Sequence, residues 1–172
     1  MDQKKIIFVA LAGAAMTLPA SANAAPVANP NGSATVDVVK PLAVVEVADL
    51  DFGTVVSSAA DGSVFLPADG SAPVYSGGAV GLPTDPLFRG EFLVVGLPGT
   101  DVIVTHSWPA KLDSIAGDQI DLQIMYLEGS TIKTLDPVSG ETTLFFGGTI
   151  FVPGGTPEGD YENTFTVTVE YR

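Results

Sequence analysis

The sequence contains no cysteine, one histidine and one tryptophan among its 172 residues. Without cysteine no disulfide can hold the fold, so packing and strand pairing must do so. A lone histidine, His106, offers little for a zinc site or for a nucleophile–base pair. No serine lies in a Gly-x-Ser-x-Gly pattern. The sequence therefore predicts a protein that is not an enzyme and has no cofactor, and we interpret His106 beside Trp108 as a packing pair at a strand end.

Basic residues are also scarce, since 7 Lys and Arg stand against 20 Asp and Glu and give a net charge of −13. An acidic surface repels nucleic acid phosphates and anionic lipid headgroups. We therefore expect no nucleic-acid partner. No apolar run beyond the N-terminus is long enough to span a bilayer, so we expect no membrane span in the mature chain.

Several carboxylates occur in pairs, and these are the best remaining candidates for chemistry. The pairs are Asp49 with Asp51, Asp118 with Asp121, and Glu158 with Asp160. Glycoside hydrolysis by such pairs usually needs a cleft with aromatic platforms, and only 8% of the residues are aromatic. No EF-hand spacing is present, although calcium binding by these loops stays open. The simpler interpretation is solvated turns on an acidic surface, and we predict no metal site.

The N-terminus has the pattern of a secretory signal peptide. Lys4 and Lys5 precede a short apolar run over 6–18, and Ala22-Asn23-Ala24 ends the segment with a typical cleavage pattern. We predict that 1–24 is removed on export. The following residues, 25–33, are rich in Pro, Asn and Gly and are interpreted as a flexible leader.

Short alternating segments separated by Gly- and Pro-rich turns fill the rest of the chain. The clearest is the last, where Phe165, Val167, Val169 and Tyr171 share one face and threonines share the other. This alternation is typical of a strand with one buried and one wet face. A similar segment over 34–40 places Ala34, Val36 and Val38 on one face, before Pro41.

No apolar pattern recurs at helical spacing for three turns, so almost no helix is expected. The paired glycines Gly147 and Gly148 predict a bulge or kink inside one strand. In all we expect about eight or nine short strands, hence an all-β protein and a single β-sandwich domain over 34–172.

Several local patterns now combine into a resemblance. They are Asp51-Phe52-Gly53-Thr54, Val95-Gly96-Leu97-Pro98-Gly99, the run Gly147 to Val152, Gly159-Asp160-Tyr161, and the run Phe165 to Tyr171. In this order they resemble a bacterial exported domain-of-unknown-function family, itself similar to archaic chaperone–usher pilins and to spore-coat-U-like domains. The resemblance covers roughly 33–172. A glycine about one strand before a penultimate tyrosine, here Gly159 and Tyr171, is similar to the C-terminal motif of those pilins.

The resemblance implies an immunoglobulin-like, pilin-type sandwich that lacks its last strand and is completed by a donor strand from another copy. Ala34, Val36 and Val38 would be the donor residues. The acceptor groove would be formed by Phe165, Val167, Val169 and Tyr171, with Gly159 at positive φ shaping the turn before it. Many such pilins carry a disulfide near the first strand, and this chain departs from them in having no cysteine.

The function expected from this resemblance is a structural subunit of a pilus or fimbrium that serves adhesion or biofilm formation. Its partners would be identical or related pilins, a periplasmic chaperone and an outer-membrane usher. It would pass through the periplasm to the cell surface. The first alternative is a self-complete monomeric surface or periplasmic binding module, in which Ala34–Val39 pairs inside its own domain. The second is a carbohydrate-active or calcium-dependent adhesin.

Overall fold

The computed structural model describes residue 36 and residues 38–172, and the chain divides into two units, Met1–Asp37 and Val38–Arg172. The second unit holds thirteen strands and no helix among its described residues. The strands are β1 Ala43–Ala48, β2 Val55–Val56, β3 Gly62–Leu66, β4 Val74–Gly77, β5 Val80–Gly81, β6 Gly90–Val95, β7 Asp101–Ser107, β8 Lys111–Ser114, β9 Gln119–Leu127, β10 Ile132–Thr134, β11 Glu141–Val152, β12 Tyr161–Glu162 and β13 Thr166–Tyr171. The prediction of an all-β protein is confirmed.

The larger sheet has the strand order β1-β6-β11-β9-β8-β12, with β3 and β4 attached to β11 at its side. All of its pairings are antiparallel. The long strand β11 is the spine, because its first half pairs with β6 and its second half with β3 along the same edge, while β9 lies along the other. The sheet is therefore continuous across both halves of the domain.

The paired glycines lie inside β11, as predicted, and the register of β11 on β9 shifts just after them, between Thr149 and Ile150. A Cβ on Gly147 would lie 2.3 Å from the carbonyl oxygen of Leu66 and 2.5 Å from the backbone nitrogen of Ala68. The chain leaving β3 thus crosses the outer face of β11 at a distance that only glycine permits.

A smaller sheet, of order β10-β7-β13, packs its inner face against the larger one. The core between them consists of Phe92, Val94, Val102, Val104, Met125, Leu127, Leu135, Leu144 and Phe146. The inward residues of the last strand pack against this cluster, so the predicted common face of Phe165, Val167, Val169 and Tyr171 is confirmed. A third, two-residue pairing joins β2 and β5.

A second apolar cluster lies under the other half of β11. It consists of Phe52, Val64, Leu66, Ala79, Ile120, Leu122, Ile150 and Val152. Leu50 packs against both clusters and Phe52 is buried. Asp51 between them faces away and accepts a hydrogen bond from the backbone N–H of Gly53 at 2.8 Å. The Asp-Phe-Gly triplet is therefore a turn at the end of a core segment.

Two sequence expectations differ from the structure. Thirteen strands occur instead of eight or nine, because several of them are pairings of only two to four residues that leave no alternation in the sequence. The strand expected over 34–40 is absent from its described part, since 36 and 38–40 lie in no strand. Segment 1–24, leader 25–33 and Ala34 lie outside the described residues. No helix in the described part is long and apolar enough to cross a membrane.

Candidate functional site: the edge groove

The last strand, β13, lies at the edge of the smaller sheet. It pairs with β7 from Thr166 opposite Ser107 to Tyr171 opposite Val102. On its other side, no strand of the described residues pairs with it. The free edge offers backbone N–H and C=O groups to a further strand.

The two strands of this pair differ in how deeply their inward side chains are buried. Val102 and Val104 of β7 are 0% and 1% exposed. Val167 and Val169, which lie directly across from β7 on the same face, are only half-buried. A central strand has neighbours on both sides, whereas β13 has a neighbour on one side. The inner face of β13 is therefore incompletely covered.

At the corresponding edge of the larger sheet lies β1, which among the strands of residues 38–172 pairs with β6 alone. Its register places Val44 opposite Val94 and Glu46 opposite Phe92, so Val44 and Glu46 are on the face that points to the core. Both are nevertheless exposed, Val44 by 37%. Within the described part of the chain, no further strand covers the core-facing side of this valine-rich edge strand.

We call the gap between these two edges the edge groove. It is lined by Leu42, Val44 and Glu46 on the side of β1, and by Phe165, Val167, Val169 and Tyr171 on the side of β13. Its floor is the core cluster under Phe92 and Val94. No described strand lies between the two edges.

One end of the edge groove is closed by Tyr171. Its hydroxyl accepts a hydrogen bond from the backbone N–H of Leu97 at 2.8 Å and donates one to the carbonyl of Lys40 at 2.9 Å. A Cβ on Gly96 would lie 2.6 Å from that hydroxyl oxygen and 2.8 Å from a methyl of Leu42. The phenol therefore joins the end of β13 to the segment that leads into β1.

The other end is marked by Phe92. Its ring packs edge-on against the ring of Phe165, with centroids 5.7 Å apart. Glu46 lies directly across from Phe92 in the ladder between β1 and β6. The edge groove thus runs from Tyr171 and Leu42 to Phe165 and Glu46, and a carboxylate stands at this second end.

Gly159, which was expected to shape the opening of the groove, has another position. It precedes β12, and a Cβ on it would meet only Ser114 and a ring carbon of Tyr161, both at 3.9 Å. Its φ is not positive; the left-handed glycine of this turn is Gly155, with φ 79°. The prediction of positive φ at Gly159 is therefore wrong, because the sequence placed the turn too near the strand.

The donor residues are described in part. Val36 and Val38 are 83% and 92% exposed and lie in no strand, while Ala34 lies outside the described residues. Both valines therefore have apolar surface that is free to be buried in a contact. Their role as donors remains a prediction.

His106 and Trp108 form the predicted packing pair. Their rings stack with centroids 5.5 Å apart, and the His106 ring also meets the edge of Phe146 at 5.3 Å. His106 Nε2 lies 3.4 Å from the carbonyl oxygen of Met125. The imidazole therefore caps the core at the end of β7.

A shallow cavity of about 280 Å³ on the outer face of the larger sheet is the next candidate. Its wall holds Phe65 and Tyr126, whose rings stack at 6.0 Å. The Tyr126 hydroxyl already accepts the Ala68 N–H, and Asp69 accepts the hydroxyl and N–H of Ser71. The bonds from Ser71 hold the pKa of Asp69 below its usual value. The Tyr126 hydroxyl and the Asp69 carboxylate are thus already engaged by donors of the 68–71 turn.

Two members of the acidic pairs have local partners of their own. Asp121 pairs with Lys111, and Asp51 holds its own turn. Among residue 36 and residues 38–172, no three of His, Asp and Glu gather in a way that could hold a metal ion.

The family model for a domain of unknown function, DUF4402, matches residues 42–171. The chain therefore belongs to this family, and the expectation of a domain-of-unknown-function family is confirmed to that extent. The match begins at Leu42 and ends at Tyr171, the two residues that meet at the closed end of the edge groove. No curated protein and no solved structure matches the chain.

The sequence pointed to one wall of the groove and missed most of the other. Alternation alone placed the four inward residues of β13. It gave no indication that Leu42, Val44 and Glu46 line the same gap. That Lys40 and Leu97 meet the Tyr171 hydroxyl depends on long-range packing, which leaves no sequence signal.

Proposed function

We propose that this protein is the structural subunit of a surface fibre of the chaperone–usher kind, assembled by donation of a strand from one copy into the edge groove of the next. The observation that carries the proposal is the edge groove itself, two strand edges that face one core with half-covered apolar side chains. A strand inserted there would pair with the free edge of β13 and cover both walls.

The strand order supports an immunoglobulin-like sandwich with its seventh strand missing. In such a fold the first, second, fifth and fourth strands form one sheet, and the third, sixth and seventh form the other. Here β1-β6-β11-β9 form the first sheet in that order, and β7 pairs with β13 in the second. The position of the seventh strand is the free edge of β13.

The energetics favour filling the groove. Apolar area removed from water contributes about 25 cal/mol per Å², and a fully buried valine about 1.5–3 kcal/mol. In a single copy Val36 and Val38 are exposed and the inward residues of β13 are half-buried, so this stabilisation by burial is not realised. Donation of the segment 34–40 would recover both contributions in one contact.

The same incompleteness supports the proposed partners. An uncovered strand edge beside an apolar groove is an aggregation hazard until it is filled. A subunit with this edge would need a periplasmic chaperone to cover it after export and an outer-membrane usher to exchange the cover for the next subunit. The assembled product would then belong at the cell surface, in a fimbrium that serves adhesion or biofilm formation.

The test uses aspartate substitutions of exposed valines. Val36→Asp with Val38→Asp should abolish assembly, because a carboxylate cannot enter an apolar groove without a partner. Val138→Asp is the matched control, since Val138 is 88% exposed in the turn before β11 and lies outside the predicted donor segment. The purified chain should form concentration-dependent multimers that survive mild denaturant, seen by size exclusion and electron microscopy.

Only the chain with both donor substitutions should stay monomeric. If it assembles as well as the Val138→Asp chain, the donor assignment is wrong. A wild-type chain that unfolds reversibly as a monomer at every concentration would instead support the alternative, a self-complete binding module.

A further inference from the structure

Glu46 is the one charged residue among the residues that line the edge groove. It lies on the core-facing side of β1, directly across from Phe92, and the ring of Phe165 adjoins Phe92. At present the carboxylate is exposed to solvent. Any strand that fills the edge groove would remove it from water, and a buried carboxylate without a partner is strongly unfavourable. The strand that fills the groove must therefore bring a cation to this end.

Lys40 is suited to be that cation. It is the one basic residue between Lys5 and Arg89, and it continues the alternation of Ala34, Val36 and Val38 on the same face. Because Pro41 follows it, its backbone is held in the extended region. Within residues 38–172, neither Lys40 nor Glu46 takes part in a salt bridge.

The direction of insertion decides whether the two charges meet. The donor segment has four positions on one face, 34, 36, 38 and 40. The opposite wall also has four, 165 just before β13 and 167, 169 and 171 within it. Both spans are roughly 20 Å in an extended strand. If the donor runs antiparallel to β13, Lys40 reaches the end with Phe165 and Glu46. If it runs parallel, Lys40 reaches the end closed by Tyr171.

The closed end is already taken by the accepting copy's own chain. There the Tyr171 hydroxyl holds the carbonyl of the accepting copy's own Lys40, so that residue lies at the closed end. A donor whose Lys40 also came to this end would compete with that chain for space. Charge and space therefore favour the same direction.

We infer that Lys40 of the inserted segment forms an ion pair with Glu46 of the accepting copy, and that this pair fixes the direction and register of the donor strand. The inference rests on the proposed function. The occupant of the edge groove is a second copy of this chain. Each copy gives its segment from its Tyr171 end and receives one at its Glu46 end, so the contact is head-to-tail and does not close.

Charge reversal tests the pair. Lys40→Glu alone or Glu46→Lys alone places like charges together and should slow assembly at least about tenfold, since unpaired charges buried at an interface are costly. The chain with both changes restores an opposite pair and should assemble within about twofold of the wild-type rate. Lys133→Glu is the control for net charge, since Lys133 lies outside the groove and donates to the Glu128 carbonyl. A double variant as slow as the single ones would overturn the inference.

Cysteine cross-linking tests the direction independently of rate, because the chain has no cysteine of its own. Copies with Lys40→Cys are mixed with copies carrying either Glu46→Cys or Leu97→Cys, assembled and oxidised. Linked pairs should form with Glu46→Cys. Links only to Leu97→Cys would show the opposite direction and refute the ion pair while the fibre stands. If multimers do not form at all, the proposed function fails instead.

Discussion

The ring and the hydroxyl of Tyr171 make separate contributions to the structure. Its ring packs against the core cluster, which alternation in the sequence predicts. Its hydroxyl bridges the Leu97 N–H and the Lys40 carbonyl, and so ties β13 to the start of β1. A phenylalanine would satisfy the first role and lose the second.

We therefore expect Tyr171→Phe to lower the free energy of unfolding by about 1–3 kcal/mol, because the part-buried Leu97 N–H loses its acceptor. Urea unfolding followed by circular dichroism, at concentrations where the chain is monomeric, measures this. Tyr161→Phe is the matched control. Its hydroxyl donates to the exposed carbonyl of Pro157, and its loss should cost no more than about 0.5 kcal/mol. Equal losses in both variants would contradict the bridging role.

Strands β13 and β7 pair with each other, but their inward side chains are buried to different extents. Val104 and Val169 lie directly across from each other on the same face, yet the first is 1% exposed and the second half-buried. The difference comes from the number of neighbouring strands, not from residue type. It shows how much less β13 is covered than β7.

In the unassembled chain, Val104→Ala should cost about 2 kcal/mol and Val169→Ala about half of that, because a half-covered side chain loses less on truncation. Adding a synthetic peptide with the sequence of 31–41 should raise the cost of Val169→Ala toward that of Val104→Ala. Thermal unfolding with and without peptide gives both values. If the peptide changes neither, the groove on β13 does not accept this segment.

The molecule as a whole is strongly acidic, with a net charge of −13 for the full sequence. Two copies that approach each other repel over distances comparable to the Debye length, which is about 10 Å at 0.1 M salt. The proposed contact is apolar with one ion pair at its end. Long-range repulsion between the two acidic copies therefore slows the association that this contact stabilises.

Assembly should therefore start several-fold faster at 0.3 M than at 0.01 M sodium chloride, as screening removes the repulsion. The initial rate of light scattering measures this, with an osmotically matched sucrose solution as control. A rate that falls with salt would mean that local attraction, such as that between Lys40 and Glu46, governs the encounter.

The sequence by itself determined the class of fold and one face of the candidate site. Period-2 alternation and the absence of helical spacing are local properties, and they sufficed for the all-β prediction and for the inward face of β13. The Gly147-Gly148 pair likewise predicted an irregularity within one strand, since a glycine in a strand has no side chain to pack and often marks a bulge or a close backbone approach.

Tertiary structure decided the rest. Which edges stay open depends on strand order, and β1 and β13 became walls of one groove only because β6 and β7 place them at matching edges. Glu46 and Lys40 gained their significance from register and from the Tyr171 hydroxyl, both set by pairings between residues far apart in the chain. Gly159 failed as a prediction for the same reason. A turn's φ angles depend on where the neighbouring segments hold its ends, and those segments hold Gly155, not Gly159, in the left-handed region.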